Sequence, residues 1–295
     1  MEEAGFKQME RKIGFIGIGV MGKSMVRNLM KNGYPVFIYT RTKEKAEELL
    51  AEGANWKASP KEVAQEAHII ITMVGYPHDV ESVYFDDNGI FAGAGKAKVA
   101  IDMTTSTPTL AKKIFAEAEE LGMDALDAPV SGGDIGAKNG TLSIMVGGSE
   151  RVFNEVYSVL SVLGNNIVFQ GEAGAGQHTK MCNQIAIASN MIGVTEALVY
   201  AKKAGLDPER MLTSISTGAA GSWSMSNLLP RVLKEDYSPG FFIKHFIKDM
   251  GIALDEAKKM GLELPGLALA EKMYKSLAEK GEENSGTQAL IKYWN

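Results

Sequence analysis

Four short apolar runs set the limits on how this chain folds. Lys12–Gly17 (KIGFIG), Pro35–Thr40 (PVFIYT), His68–Val74 (HIIITMV) and Lys98–Met103 (KVAIDM) are rich in isoleucine and valine and too short for buried helices. Helical spacing fills the gaps between them at 23–32, 43–52 and 60–66, and returns at 108–121. Unbroken apolar strands are buried on both faces, and strands alternating with helices pair in parallel, so the N-terminal half is predicted to be a parallel sheet covered on both sides. Further strand-like segments follow in DALDAPVS, SIMVGG and NIVFQG, with one helix at about 150–163. After residue 172 no convincing strand remains. A helix over 176–204, roughly 40 Å long at 1.5 Å per residue, precedes shorter ones at 208–216, 223–234, 242–260, 265–280 and 286–293.

The first strand runs into GIGVMGKS (17–24), which satisfies two phosphate-binding patterns. Gly17-x-Gly19-x-x-Gly22 is the turn that seats a dinucleotide pyrophosphate, with Ile18, Val20 and Met21 between the glycines. Gly17, Gly22, Lys23 and Ser24 together make a complete Walker A loop. Both put glycines between strand and helix, because only a backbone without side chains approaches a phosphate closely. Asp102 would pass for the acidic Walker B residue, so it does not separate the readings. The second strand favours the dinucleotide. About 20 residues past the glycines, where such a fold reads the ribose, stand Thr40, Arg41 and Thr42. Arg41 suits a 2′-phosphate clamp, with the threonine hydroxyls adding bonds, and no carboxylate appears until Glu44. NADP is therefore the expected preference, with NAD possible; the alternative is that Arg41 stacks on adenine and leaves both usable. The expected architecture is α/β, with a Rossmann-type doubly wound domain at 12–172 and an all-helical domain at 173–295, joined by the long helix.

Two later features carry chemistry. Ser131, Gly132 and Gly133, in DAPVSGG, offer consecutive backbone N–H groups to a carboxylate, or else form a flexible loop. Lys180 lies one turn into the long helix, with Asn183 and Gln184 on its face and Ile187 and Met191 continuing it. Such a lysine either snorkels to water or, partly buried, shifts its pKa toward neutrality and suits proton transfer. His178 and His245 are rival proton carriers without a clear local carboxylate partner. Trp223 is either a wall of the substrate pocket or an anchor behind a Ser222 helix cap. Asp86–Gly89 reads as a turn lacking the other ligands of a calcium loop, and no metal-ligand spacing appears elsewhere, so no metal is expected.

Taken together these segments resemble the β-hydroxyacid dehydrogenase family. FIGIGVMGKSMVRNL is similar to its N-terminal signature, DAPVSGGDIGAKNGTLSIMVGG to its substrate loop, GxGxxxKxxN at 174–183 to its catalytic segment, and Lys248-Asp249 to its late Lys-Asp pair. The resemblance makes the Walker pattern a coincidence. It implies an NAD(P)-dependent oxidoreductase that interconverts a small β-hydroxy acid and its semialdehyde. Gly17, Gly19 and Gly22 would hold the pyrophosphate, and Val74, Thr105 and Lys248 would line the cofactor. Ser131, Gly132 and Gly133 would hold the substrate carboxylate, and Lys180 would be the general acid/base. Many relatives carry the catalytic asparagine four residues after the lysine, where this chain has Gln184; Asn183, at three, is preferred. A non-catalytic NAD(P)-binding scaffold and an imine reductase are the alternatives, and the Lys180–Asn183 pair speaks against both.

A net charge of −5 without a basic tail argues against nucleic acid, and no stretch approaches a membrane span. The single cysteine, Cys182, fits a reducing compartment, and residues 1–11 read as a polar tail without a signal peptide; the expected location is cytoplasmic. Ile185, Ile187, Met191, Ile192 and Leu198 place apolar groups on more than one face of the long helix, which predicts a homodimer or homotetramer.

Overall fold

The computed structural model describes residues 11–294, so the polar tail expected at 1–11 lies outside the described residues except for Arg11. The chain divides into two compact units after Lys180. In the first, β1 (Ile13–Ile16), β2 (Val36–Tyr39), β3 (Asn55–Trp56), β4 (Ile69–Thr72), β5 (Val99–Asp102) and β6 (Asp124–Asp127) pair in parallel in the order β3-β2-β1-β4-β5-β6. The chain thus starts mid-sheet and reverses direction between β1 and β4, the switch point at which doubly wound sheets bind ligands.

The register shows why the apolar runs are unbroken. Ile13, Phe15, Ile69, Ile71, Val99 and Ile101 enter one core, while Ile16, Ile70, Ala100 and Ala125 enter a second. Side chains alternate across a strand, so a sheet packed on both faces needs apolar residues at every position. Helices α1 (Val20–Lys31), α2 (Glu47–Ala51), α3 (Pro60–Glu66), α4 (Pro77–Phe85) and α5 (Pro108–Glu120) connect these strands. Two of them begin at Ser-Pro or Thr-Pro steps: Ser59 Oγ accepts from the Glu62 amide at 3.2 Å, and Thr107 Oγ1 from that of Leu110 at 3.1 Å. Proline at the first position needs no amide partner, and the preceding hydroxyl satisfies one of the remaining amides. Helix α4 was not anticipated, although Pro77 and the Asp79 carboxylate, which accepts from the Tyr76 amide at 3.1 Å, give it the same kind of start.

Beyond β6 the sheet changes direction. β7 (Val130–Ser131), α6 (Gly133–Asn139), β8 (Leu142–Gly148), α7 (Glu150–Leu163) and β9 (Gly164–Gly171) follow. β8 runs antiparallel to β6 and β7 and parallel to β9.

Helix α8 (Ala175–Lys203) crosses the division between the units. In the second unit α9 (Pro208–Ile215), α10 (Trp223–Asn227), α11 (Leu229–Leu233), α12 (Ile243–Lys259) and α13 (Pro265–Leu277) surround a core of their own. The single helix expected over 223–234 is broken at Leu228, because Pro230 removes an amide that a continuous helix needs and its ring collides with the turn before it. Helix α13 gives way at Leu277 to a wide turn containing Gly281 at φ 88°, and Thr287–Trp294 is a 3-10 helix. The apolar residues that suggested self-association are already covered within this unit: Met191, Ile192 and Leu198 are buried in its core, and Ile185 and Ile187 pack against it. No helix among the described residues is long and apolar enough to cross a membrane.

Candidate functional site

In the first unit the candidate residues gather at the carboxyl ends of the parallel strands. Gly17 follows β1 at φ 103°, and a Cβ there would run into the Met73 carbonyl oxygen. A Cβ on Gly22 would run into the carbonyl of Gly17, so this glycine lets α1 pack on the turn. Gly19 is different: its φ is −84° and nothing lies within 4 Å of the position a Cβ would take. Internal packing therefore explains two of the three glycines, and the third leaves an open approach to the first turn of α1, which carries no acidic residue. Such a helix start, with its unpaired amides and positive end of the dipole, fits a pyrophosphate. Of the intervening side chains, Ile18 is buried in the core, Met21 is half-buried and Val20 is exposed. Lys23, the residue that completed the Walker pattern, pairs with Glu48 at 3.3 Å.

At the end of β2, Thr40 is half-buried and Arg41 and Thr42 are exposed. The Arg41 guanidinium, 81% exposed, donates to Asp79 Oδ1 at 2.9 Å, a partner at the start of α4 that the sequence reading did not foresee. One N–H of the fork is thereby used, and the rest of the fork remains for a ligand.

After β4 and β5 the chain is cross-tied. The Val74 amide donates to Thr104 Oγ1 at 3.0 Å. Gln177 spans the loop after β5, its Nε2 donating to the Thr104 carbonyl at 2.7 Å and its Oε1 accepting from the Ser106 amide at 3.0 Å. Thr105, between them, is half-buried. Asp127 accepts from the amides of Gly174 and Gln177, both at 2.8 Å, and so caps α8. Neither Gln177 nor Asp127 was anticipated. The signal for Gln177 was its position one turn before Lys180; that for Asp127 was a carboxylate at a strand end, a pattern too common to single out. Asp127 lies beside Asp102 in the β5–β6 register. Burial pushes the Asp102 carboxyl up to about 6, against hydrogen bonds from Thr72 Oγ1 (2.7 Å) and the Thr104 amide (3.1 Å) that favour its ionised form. Burial raises Asp127 as well, against the two amide bonds.

Ser131, Gly132 and Gly133 are not a loose loop: Ser131 ends β7 and Gly133 begins α6. Gly132 (φ 128°) and Gly133 (φ 62°) turn β7 directly into α6, which starts without a side-chain cap. Asn28 ties α1 to α6 by donating to the Ala137 carbonyl at 2.8 Å.

Lys180 does not snorkel: it is 7% exposed. Farther along α8, Asn183 Nδ2 donates to Gln184 Oε1 at 2.7 Å, and Gln184 Nε2 donates to Asp249 Oδ2 at 2.6 Å. Gln184 and Asp249 are each 1% exposed, whereas Asn183 is half-buried. Lys248 pairs with Asp249 Oδ1 at 3.0 Å. His245 is pushed below its ordinary value by burial and by Lys248, which suits it poorly to hold a proton; His178 is half-buried. Trp223 is 68% exposed behind Ser222, whose Oγ accepts from the Met225 amide at 3.1 Å, so the expected helix cap is present. Asp86–Gly89 is a turn closed by the Gly89 amide on the Asp86 carbonyl at 2.7 Å.

Comparison with known proteins bears on these positions. Residues 12–171 match the family described as the NAD binding domain of 6-phosphogluconate dehydrogenase, and residues 174–294 that described as NAD-binding of NADP-dependent 3-hydroxyisobutyrate dehydrogenase. An uncharacterized oxidoreductase of Bacillus subtilis is 62% identical over 286 residues, 97% of this chain and 99% of its own. The 2-hydroxy-3-oxopropionate reductase of Escherichia coli is 40% identical over 280 residues, 95% of this chain and 96% of its own. Among solved structures, Mycobacterium tuberculosis 3-hydroxyisobutyrate dehydrogenase with L-serine matches at a TM-score of 0.89 and 32% identity, covering 97% of this chain and 99% of that one.

Proposed function

The chain belongs to the β-hydroxyacid dehydrogenase family and is an NAD(P)-dependent oxidoreductase, and from that premise we propose that it interconverts a small β-hydroxy acid and the corresponding semialdehyde, with Lys180 moving the proton. The observation that carries this reading is the burial of Lys180 on a helix whose first turn is held by Asp127 and whose Gln177 is tied to the loop after β5. An amine fixed in this way costs little reorganisation when it transfers a proton. The match to L-serine-bound 3-hydroxyisobutyrate dehydrogenase and to 2-hydroxy-3-oxopropionate reductase supports a three- or four-carbon acid with a hydroxyl near its carboxylate.

Gly17, Gly19 and Gly22 would seat the pyrophosphate of NAD(P), and Val74 and Thr105 would line the nicotinamide side. When bound, the nicotinamide supplies or accepts the hydride. Ser131 and the Gly132–Gly133 turn hold the substrate carboxylate, which fixes the distance from that end to the reacting carbon. Asn183 is the carboxamide assigned to orient the substrate. In the reductive direction Lys180 gives its proton to the carbonyl oxygen; in the oxidative direction it takes the hydroxyl proton. Arg41 favours NADP by receiving the 2′-phosphate. Lys248 is tied to Asp249, and its contribution to cofactor binding is exerted with that pair intact. The dinucleotide-binding part is assigned to 12–172 and the helical part to 173–295. A cytoplasmic location accords with the lone Cys182. Self-association into dimers or tetramers is supported by Tyr200 and Leu206, exposed by 74% and 52%. Sedimentation showing only monomer at micromolar concentration would remove it.

The test of the reaction is a panel of small semialdehydes and hydroxy acids assayed with NADPH, NADH, NADP and NAD. Turnover of a three- or four-carbon member is expected. Cofactor binding without turnover of any member would refute the proposal and leave a scaffold.

A further inference from the structure

The polar chain from Lys248 to Asn183 has a direction that does not depend on how any single amide is drawn. An ionised carboxylate only accepts hydrogen bonds, whereas a carboxamide donates from nitrogen and accepts at oxygen. Asp249 is 1% exposed, and its Oδ1 is ion-paired with Lys248 at 3.0 Å. Its other oxygen, Oδ2, faces the Gln184 carboxamide at 2.6 Å, and only the NH2 of Gln184 matches an acceptor there. That leaves Gln184 Oε1 pointing at Asn183, 2.7 Å away, and only the NH2 of Asn183 matches it. The Asn183 amide is thus turned with Nδ2 inward, and its carbonyl oxygen lies on the side away from Gln184. Reversing either amide would set oxygen against oxygen or nitrogen against nitrogen at under 3 Å in a buried place, where an unmade bond costs about 1–3 kcal/mol.

We propose that Asp249 and Gln184 are positioning residues that fix the polarity of Asn183, so that Asn183 offers the substrate an acceptor and reads a hydroxyl rather than a second carbonyl. The proposal rests on the assignment of Asn183 to the substrate made above. It adds that Gln184, although it occupies the position where many relatives carry asparagine, does not touch the substrate. It also makes a residue 65 positions away in sequence responsible for how the substrate hydroxyl is recognised. A site that holds an acceptor rigidly discriminates against a ligand that lacks the matching donor, because the acceptor is then desolvated without a partner.

The test is binding of matched acids to NADPH-loaded enzyme by titration calorimetry, where a hydroxy acid cannot be oxidised. The pairs are 3-hydroxyisobutyrate with isobutyrate, and 3-hydroxypropionate with propionate. Wild type is expected to bind one hydroxy acid about 10-fold more tightly than its deoxy partner, the worth of one well-made neutral hydrogen bond. Asp249→Asn keeps the shape but lets the relay run either way, and Gln184→Met removes it. In both, the preference should fall to about 1- to 3-fold while the deoxy acid binds within about 2-fold of wild type. Gln184→Glu, whose acid form donates to Asp249 and accepts from Asn183, should restore the preference. Thermal melts identify any variant that fails to fold, and the others then decide the matter. Equal weakening of both acids, or an unchanged preference in Asp249→Asn and Gln184→Met, overturns the relay. So does a wild type that turns over a semialdehyde yet shows no hydroxyl preference, although the dehydrogenase reading then stands. A wild type that binds no acid and turns over no semialdehyde overturns both.

Discussion

Replacing Asp102 by asparagine should stabilise the protein at neutral pH and leave it unaided in acid. The side chain is fully enclosed at the end of β5, and Oδ1 accepts from Thr72 Oγ1 and the Thr104 amide. Asparagine keeps the shape and can accept the same two bonds without the charge. Burial raises the folded-state pKa from 3.8 to about 6. A carboxyl raised in this way contributes stability that is fully present below about pH 4 and is lost as pH rises through 6, because the unfolded chain releases its proton first. Roughly two pH units at 1.36 kcal/mol each make the loss about 3 kcal/mol. The stability of Asp102→Asn minus that of wild type should therefore grow by about 3 kcal/mol between pH 4 and pH 8 and change little above pH 7. Asp127, raised by burial next door, titrates in both proteins and largely cancels. The assay is urea unfolding in a Trp223→Phe, Trp294→Phe background, which leaves Trp56, on β3, as the only tryptophan and the reporter of the first unit. A difference that stays flat within about 1 kcal/mol, or that moves toward wild type as pH rises, would refute the reasoning.

Four further variants bear on the site. Gly19→Ala should leave the melting temperature unchanged, because nothing stands near the added methyl, yet weaken NADP binding by about 10-fold or more; Gly17→Ala should cost at least about 3 kcal/mol from a positive φ and a collision with the Met73 carbonyl. A Gly19→Ala variant with normal cofactor affinity would move the pyrophosphate elsewhere. Lys180→Ala should lower kcat by about 10²–10⁴ while NADPH affinity, measured by fluorescence titration, changes by no more than a few-fold. Near-normal turnover would pass the proton to another group. Arg41→Ala should weaken NADPH by roughly 1.5–3 kcal/mol and barely alter NADH, read as kcat/KM with each cofactor. Equal losses, or a wild-type preference for NADH, would show that Arg41 is occupied by Asp79 and does not select the phosphate.

The sequence by itself determined the parallel sheet, the glycine turn and the long helix, because each has a local cause. Three successive isoleucines in β4, closed by a buried threonine, mark a strand buried on both faces. Ser59-Pro60 and Thr107-Pro108 start helices by chemistry contained within four residues. Three glycines at fixed spacing leave few backbones that could need them. Tertiary structure decided the rest. The two-residue strands β3 and β7 have no period to read, and the antiparallel course of β8 depends on which edge is vacant after β6. Arg41 turned out to have Asp79, 38 residues on, as its partner, and Lys180 sits on a helix capped by Asp127, about 50 residues before it. Which way the Asn183 and Gln184 carboxamides turn could not be read from their neighbours in sequence, since adjacent carboxamides on a helix are locally equivalent. Asp249 makes them different. A carboxylate that only accepts forces the Gln184 amide one way, and that in turn forces Asn183, a consequence of folding that no spacing along the chain encodes.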